Sequence, residues 1–307
     1  MCIAAGLLVL LVWRIDWTQF QRIITQYGPR LYLWLIPIAG LGWLVYVWRW
    51  QTLLVPLGLK PPFRELVIDS LVGLFYGLFV PTGLAGDAVR AARVGTRYHV
   101  MRKTFLSVVI DRLVALFSVI LVFGVQLVGG GLTWQGVRLS WTGWTIIALI
   151  IGGGVLFHRR PSAWMEQIKY GLLTRWPSNP LVRQIDQMCD LVQEYAQARH
   201  FIALGVVGSV VYQLFVTLSY YAGSRVLGIS VGFGDYVWIV ALVTLAQILP
   251  ITIAGLGVRE GLFVFLLGQY GVPAASAVAL SLVVFSVTLL FGILGGVLEL
   301  AGVYRTR

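Results

Sequence analysis

The sequence predicts an all-α polytopic membrane protein with about six spanning helices and two re-entrant helix–break–helix hairpins in an inverted repeat. Three observations carry that prediction. Only 11% of the 307 residues are charged against 59% hydrophobic, with a mean hydropathy of +0.87, whereas a soluble domain carries about 25% charged residues. Uncharged apolar runs of spanning length recur along the chain. Two further apolar segments are each broken by proline and glycine, in decapeptides that resemble one another.

The spans follow in order. Residues 1–13 are read as a first helix, although a spanning helix needs roughly 17–25 residues. A signal peptide fits poorly, because no basic stretch precedes the run and no small-residue cleavage site follows before Arg14. Leu31–Trp48, continuing to Val55 past Arg49, is the second; 104–128, 140–157, 201–223 and 274–303 complete six. Twelve Trp and thirteen Tyr suit the aromatic belts of a membrane interface. The net charge of +11 is placed at the ends of apolar runs, which favours anionic headgroups over nucleic acid.

The interrupted segments are 66–86, ending in Pro81-Thr82-Gly83-Leu84-Ala85-Gly86, and 236–270, broken at Pro250 and Gly255. An unbroken lipid-facing helix there would strand polar backbone groups, so each is read as a re-entrant hairpin buried in protein. PTGLAGDAVR (81–90) aligns without gaps on PITIAGLGVR (250–259), matching Pro81 with Pro250, Gly86 with Gly255 and Arg90 with Arg259. Three crossings lie between the breaks, so the hairpins enter from opposite faces. The reading is one integral membrane domain, 1–307, with repeat halves at roughly 60–130 and 230–304. Lysine and arginine crowd one face, through Lys60, Arg64, Arg93, Arg97, Arg102, Lys103 and the 158–200 loop, which makes that face and both termini cytoplasmic. Within the loop, Val182, Ile185, Met188, Val192 and Tyr195 recur at helical spacing after Asn179-Pro180, predicting an interfacial amphipathic helix.

Charges within the hydrocarbon region are costly, about 2.5–3.5 kcal/mol each, so each asks for a reason. Asp87 is expected in the first turn of the half-helix after Gly86, as a cap or dipole partner. Arg90 beside it opposes the helix dipole. That favours either an anion, to which its planar fork is suited, or a structural Asp87–Arg90 pair at i, i+3 spacing. Arg259, with Glu260 next to it, repeats the arrangement after Gly255; locking the hairpin to its neighbours is the competing role. Asp111 and Arg112 lie about 10 Å into their helix. As neighbours on a helix they point apart, so Asp111 needs a cation from elsewhere, Arg90 or Arg259, while Arg112 is free to snorkel. Asp69 and Glu299, near segment ends, are expected to reach water, and Gly73/Gly77 and Gly292/Gly296 to permit close helix packing. Cys2 and Cys189 lie far apart and His99, His158 and His200 flank segments, so no metal site, cofactor or disulfide is expected.

Three motifs then act together: Pro81 to Arg90, the Asp111-Arg112 pair, and Ala254-Gly255-Leu256-Gly257-Val258-Arg259-Glu260. In this order they resemble the transmembrane flippase-like region of the lysylphosphatidylglycerol synthase family and its stand-alone relatives. The resemblance implies movement of lipids between leaflets, with aminoacyl-lipid synthesis assigned to a separate cytoplasmic domain. Because this chain ends at Arg307 soon after its last span, a stand-alone member without the synthase domain is expected. Family members often carry Glu where this chain has Asp87, a departure that keeps the charge. Relatives are linked to phospholipids, hopanoids and polyprenyl carriers, so the lipid does not transfer. The expected function is translocation of an anionic or phosphate-bearing lipid, with no enzymatic step, in the cell membrane. An ion or small-solute transporter, or a membrane-embedded enzyme acting on a lipid phosphate, is the alternative; a homo-oligomer is left open.

Overall fold

A computed structural model describes residues 30–79, 85–129, 197–248 and 257–302, with shorter pieces at 133–134, 137–138, 153, 170, 174–175 and 193–195. Eight helices are found among these residues. They are α1 (Arg30–Leu54), α2 (Phe63–Gly77), α3 (Ala85–Arg97), α4 (Met101–Gly129), α5 (Arg199–Val226), α6 (Phe233–Ile248), α7 (Val258–Gly268) and α8 (Ala274–Leu300). A two-residue antiparallel ladder pairs Thr133 with Arg138 and Trp134 with Val137, a small departure from the all-helical expectation.

Length sorts the helices into two kinds. Four stretches are long and apolar enough to cross a membrane: Leu31–Leu57, Met101–Val125, Arg199–Val226 and Ala274–Leu300. They coincide with four of the six expected spans; those at 1–13 and 140–157 lie outside the described residues, as does most of the expected interfacial helix. Helices α2, α3, α6 and α7 have 15, 13, 16 and 11 residues, each short of the roughly 20 that a crossing takes. They fall in two consecutive pairs on either side of the expected breaks. The break residues 81–84 and 250–256, Gly255 included, are outside the described residues. Gly86 is not in the break, since α3 already begins at Ala85.

The pair α2–α3 is held by backbone contact. A Cβ on Gly73 would stand 2.5 Å from the Gly86 carbonyl oxygen, and one on Gly86 would stand 2.7 Å from that of Gly73. Only two glycines let the helices approach this closely. Helix α8 packs on α2 in the same way, at Gly292 and at Gly295, where a Cβ would meet the Leu71 carbonyl oxygen at 2.0 Å. Gly296, paired with Gly292 in the sequence reading, is buried beside Gly295. Gly295→Ala is expected to lower the melting temperature in detergent, with overpacking of about 1–3 kcal/mol or more; an unchanged melting curve would show that α8 shifts freely on α2.

Polar contacts define the two ends of the molecule. Arg93 and Arg97 of α3 reach Asp69 and Glu65 of α2, and Arg93 also reaches Glu299 near the end of α8. The start of α2, the end of α3 and the end of α8 therefore lie together. At the other end of α8, which is about 40 Å long, the Tyr270 hydroxyl after α7 donates to Asp235 at the start of α6 (2.9 Å). Each short pair thus opens toward a different end of α8. Burial and the Asp235 carboxylate push the Tyr270 phenol up to about 12.

Candidate functional site

The charged residues of the first two motifs meet inside the bundle together with Arg49, and they meet as a chain. Arg49 of α1 grips Asp111 of α4 with both ends of its fork, Nε to Oδ1 at 2.7 Å and Nη2 to Oδ2 at 2.8 Å, while its Nη1 donates to Ser209 of α5 at 3.1 Å. Asp111 Oδ2 also accepts from Arg90 Nη2 at 2.7 Å. The same Nη2 pairs with Asp87 Oδ1 at 2.8 Å, and Asp87 Oδ2 accepts from Arg112 Nε. The order is Arg49, Asp111, Arg90, Asp87, Arg112, alternating in sign with an arginine at each end. Within these five residues three guanidiniums meet two carboxylates, and Arg112 makes a further interaction beyond these bonds.

Helical spacing explains how two adjacent pairs of residues build this chain. Asp87 and Arg90 are three residues apart, on one face of α3. Asp111 and Arg112 point apart on α4, so each addresses one of them. Arg112 therefore does not snorkel to the membrane surface, because the Asp87 carboxylate lies within its reach. Arg90 sits in the second turn of α3, since the helix starts two residues earlier than expected. Its guanidinium is stacked against Trp50 (4.4 Å to the ring centroid) and Tyr46 (4.9 Å). Such cation–π contacts strengthen where water is excluded, and Arg90 is only 1% exposed. Trp50 is fixed in turn by its Nε1, which donates to Ser107 Oγ at 3.1 Å, and Tyr46 donates to Asp87 Oδ1 at 3.3 Å.

Arg90 is nevertheless incompletely satisfied. Its Nε and Nη1 have no hydrogen-bond partner, and neither do the nearby Ser70 Oγ and Trp43 Nε1. Ser70 lies on the same face of α2 as Gly73 and Gly77, and Gly73 is the residue that the Arg90 side chain approaches. Arg90, Ser70 and Trp43 all line a cavity of about 420 Å³, to which all eight helices contribute. An unpaired buried donor costs about 1–3 kcal/mol, more when charged, so the cluster is suited to an acceptor-rich group. Gln213 and Thr217 of α5 are also buried nearby in sequence, and Gln213 lines the cavity.

Arg259 lines the cavity too, from α7. It does not reach Asp111. Its Nε donates to Ser281 Oγ (2.8 Å) and to Glu260 Oε1 (3.0 Å), its Nη2 approaches Glu260 Oε1 at 2.5 Å, and its face stacks on Phe285 at 4.3 Å. Adjacent residues seldom pair along a helix, but here Glu260 turns back at the helix start. Its Oε2 accepts from the backbone N–H of Gly257 (2.5 Å), a glycine with φ +88°. The two expected arginines thus face one cavity with different partners: Arg90 shares two carboxylates with other arginines, and Arg259 has one neighbouring carboxylate and a hydroxyl.

Two elements were missed from the sequence. Arg49 was read as tolerated near a helix end, although an arginine inside an apolar run carries the same signal as Asp111. Asp69 and Glu299 do not simply reach water. Asp69 is fully buried and accepts from Arg93 Nε at 2.7 Å and from Arg97 at 2.7 and 3.0 Å, while Arg93 Nη1 meets Glu299 at 2.5 Å. Burial works against the charge of Arg97, but Asp69 and then Glu65 hold its pKa above the ordinary arginine value. The basic residues that suggest a cytoplasmic face are therefore partly engaged in tying α3 to α2 and α8.

Comparison with curated proteins and with solved structures gives no significant match. A family model described as the lysylphosphatidylglycerol synthase TM region matches residues 1–296, nearly the whole chain, including α1 to α7 and most of α8. The sequence motifs, the four apolar helices of spanning length and this match agree: the chain belongs to the lysylphosphatidylglycerol synthase transmembrane-region family and is a multi-pass membrane protein.

Proposed function

We propose that this protein is a lipid translocase that carries an anionic, phosphate-bearing headgroup between leaflets through the central cavity. Family membership points to membrane lipids. The single observation that carries the finer reading is the state of Arg90: buried, stacked between two aromatic rings, and with two donor nitrogens unpartnered beside the cavity. A phosphate oxygen is the acceptor that a guanidinium fork suits best. The open donors of Arg90 give such a headgroup a reason to leave water, and the tails remain in the bilayer. Arg259 receives the headgroup on the other side of the cavity, as α2–α3 and α6–α7, read as inverted re-entrant hairpins, rock against each other. An enzyme acting on a lipid phosphate fits less well, because the oxygens of Asp87 and Asp111 are each already engaged by two arginines.

Protein purified in mild detergent is expected to retain a phosphate-bearing lipid detectable by mass spectrometry, and to lose most of it in Arg90→Ala. Equal lipid content in a folded Arg90→Ala variant would sink the assignment of this site. Orientation is tested separately. The Arg97–Glu299 end is assigned to the cytoplasm. With both native cysteines replaced by serine, His99→Cys and Gln269→Cys, both at exposed positions, are expected to label from opposite sides of intact cells, with Gln269→Cys accessible from outside. Labelling of both from one side would remove the inverted arrangement.

A further inference from the structure

We infer that Arg49 is a positioning residue that keeps Arg90 available to the headgroup by engaging both oxygens of Asp111, so that Asp111 holds Arg90 through Nη2 alone. The inference rests on the translocase reading of the cavity. Arg49 is 3% exposed and reaches Asp111 with two short hydrogen bonds, 2.7 and 2.8 Å, against a single one of 2.7 Å from Arg90. Asp111 therefore spends most of its acceptor capacity on Arg49, a residue that does not line the cavity. Arg90 donates to Asp111 and Asp87 through one nitrogen only, Nη2, which leaves Nε and Nη1 open.

Removing Arg49 would undo both conditions. A buried carboxylate that loses its main partner turns to the nearest remaining cation, and for Asp111 that is Arg90. The site would then have lost one positive charge, and Arg90 would be drawn onto its own carboxylate instead of an anion. The site would be closed by its own carboxylate rather than emptied of residues. Arg49 meets this requirement because its fork matches a carboxylate in two places and is fixed from behind by Ser209 Oγ at 3.1 Å. The Tyr46 ring contacts both guanidiniums, at 5.1 Å from Arg49 and 4.9 Å from Arg90.

Charge accounting gives an order of affinities that a merely structural Arg49 would not. Relative to the parent, the site carries one positive charge fewer in Arg49→Gln, one more in Asp111→Asn, and the same charge in the double variant. The probe is short-chain dihexanoyl phosphatidylglycerol, titrated against the full-length protein in detergent. Arg49→Gln is expected to weaken binding on the order of tenfold or more, the effect of one charge at an effective dielectric of about 20. Asp111→Asn is expected to tighten it, and combining the two should recover most of the parent affinity. Arg49→Lys, which keeps the charge but loses the fork, should fall between parent and Arg49→Gln. Melting temperature is followed for each protein, and the Asp111→Asn comparison alone serves if Arg49→Gln does not fold. Parent affinity in a folded Arg49→Gln, absence of rescue in the double variant, or unchanged affinity in Asp111→Asn would each overturn the inference and leave the translocase reading standing. Failure of the parent to bind the probe more tightly than Arg90→Ala would overturn both.

Discussion

Arg90→Ala is expected to reduce headgroup movement in reconstituted vesicles by roughly 100-fold or more, because two charge-assisted hydrogen bonds of about 1.5–3 kcal/mol each disappear from the path. The fold should survive the change. Asp111 keeps its two bonds from Arg49, and Asp87 keeps Arg112, so neither carboxylate is left buried and alone, the condition that otherwise costs about 3–5 kcal/mol. Arg90→Lys should retain only a minor part of the activity. An ammonium cannot stack flat on Trp50 and Tyr46, and once it donates to both carboxylates it has a single N–H left, where the guanidinium keeps Nε and Nη1 open. Circular dichroism and elution volume report folding, and loss of labelled lipid from one leaflet reports movement. A folded Arg90→Ala that moves lipid at the parent rate would make Arg90 structural.

Gly73→Ala is expected to be among the most destabilising single-methyl additions in the chain. The new Cβ would stand 2.5 Å from the Gly86 carbonyl oxygen and 3.3 Å from its carbon, and backbone cannot rotate out of the way as a side chain can. Helices α2 and α3 must separate, and overpacking of this kind costs about 1–3 kcal/mol, occasionally more. The displacement also falls on the site, since the same Cβ would meet the Arg90 side chain at 3.4 Å. Stability and lipid binding should therefore drop together. Gly261→Ala on α7 is the control: nothing lies within 4 Å of its Cβ, and helix propensity predicts a neutral or slightly stabilising change, up to about 1 kcal/mol. Equal melting temperatures for the two variants would mean that the α2–α3 contact is looser than its geometry.

The long helices were legible because nothing competes with a continuous apolar run in setting where a span lies. The ends of the short helices were less so. Ala85 and Gly86 read as part of a break from their similarity to Ala254 and Gly255, yet Gly86 belongs to α3, where its missing side chain serves packing rather than a turn. The charged motif residues were legible individually, since each ionisable group in an apolar run asks for a partner. Their pairing was not. Sequence spacing says that Asp111 and Arg112 diverge, but not that Asp87 and Arg90 lie opposite to receive them. Arg49 escaped because its partner is 62 positions away. Asp69 and Glu299 were mistaken for solvated ends, because the arginines that bury them, Arg93 and Arg97, were counted as headgroup contacts.

The proposed translocation is tested most directly by following three labelled lipids in vesicles of phosphatidylcholine containing the purified protein. The lipids are phosphatidylglycerol, phosphatidylcholine and diacylglycerol, each carrying the same reporter and each compared with protein-free vesicles. A cavity whose central arginine is buried with open donors predicts that protein accelerates phosphatidylglycerol movement most. Phosphatidylcholine should move more slowly and diacylglycerol should be unaffected, and the advantage should be lost in Arg90→Ala. Movement of phosphatidylglycerol no faster than in protein-free vesicles, or equal acceleration of all three lipids, would contradict transport through an anion-binding site.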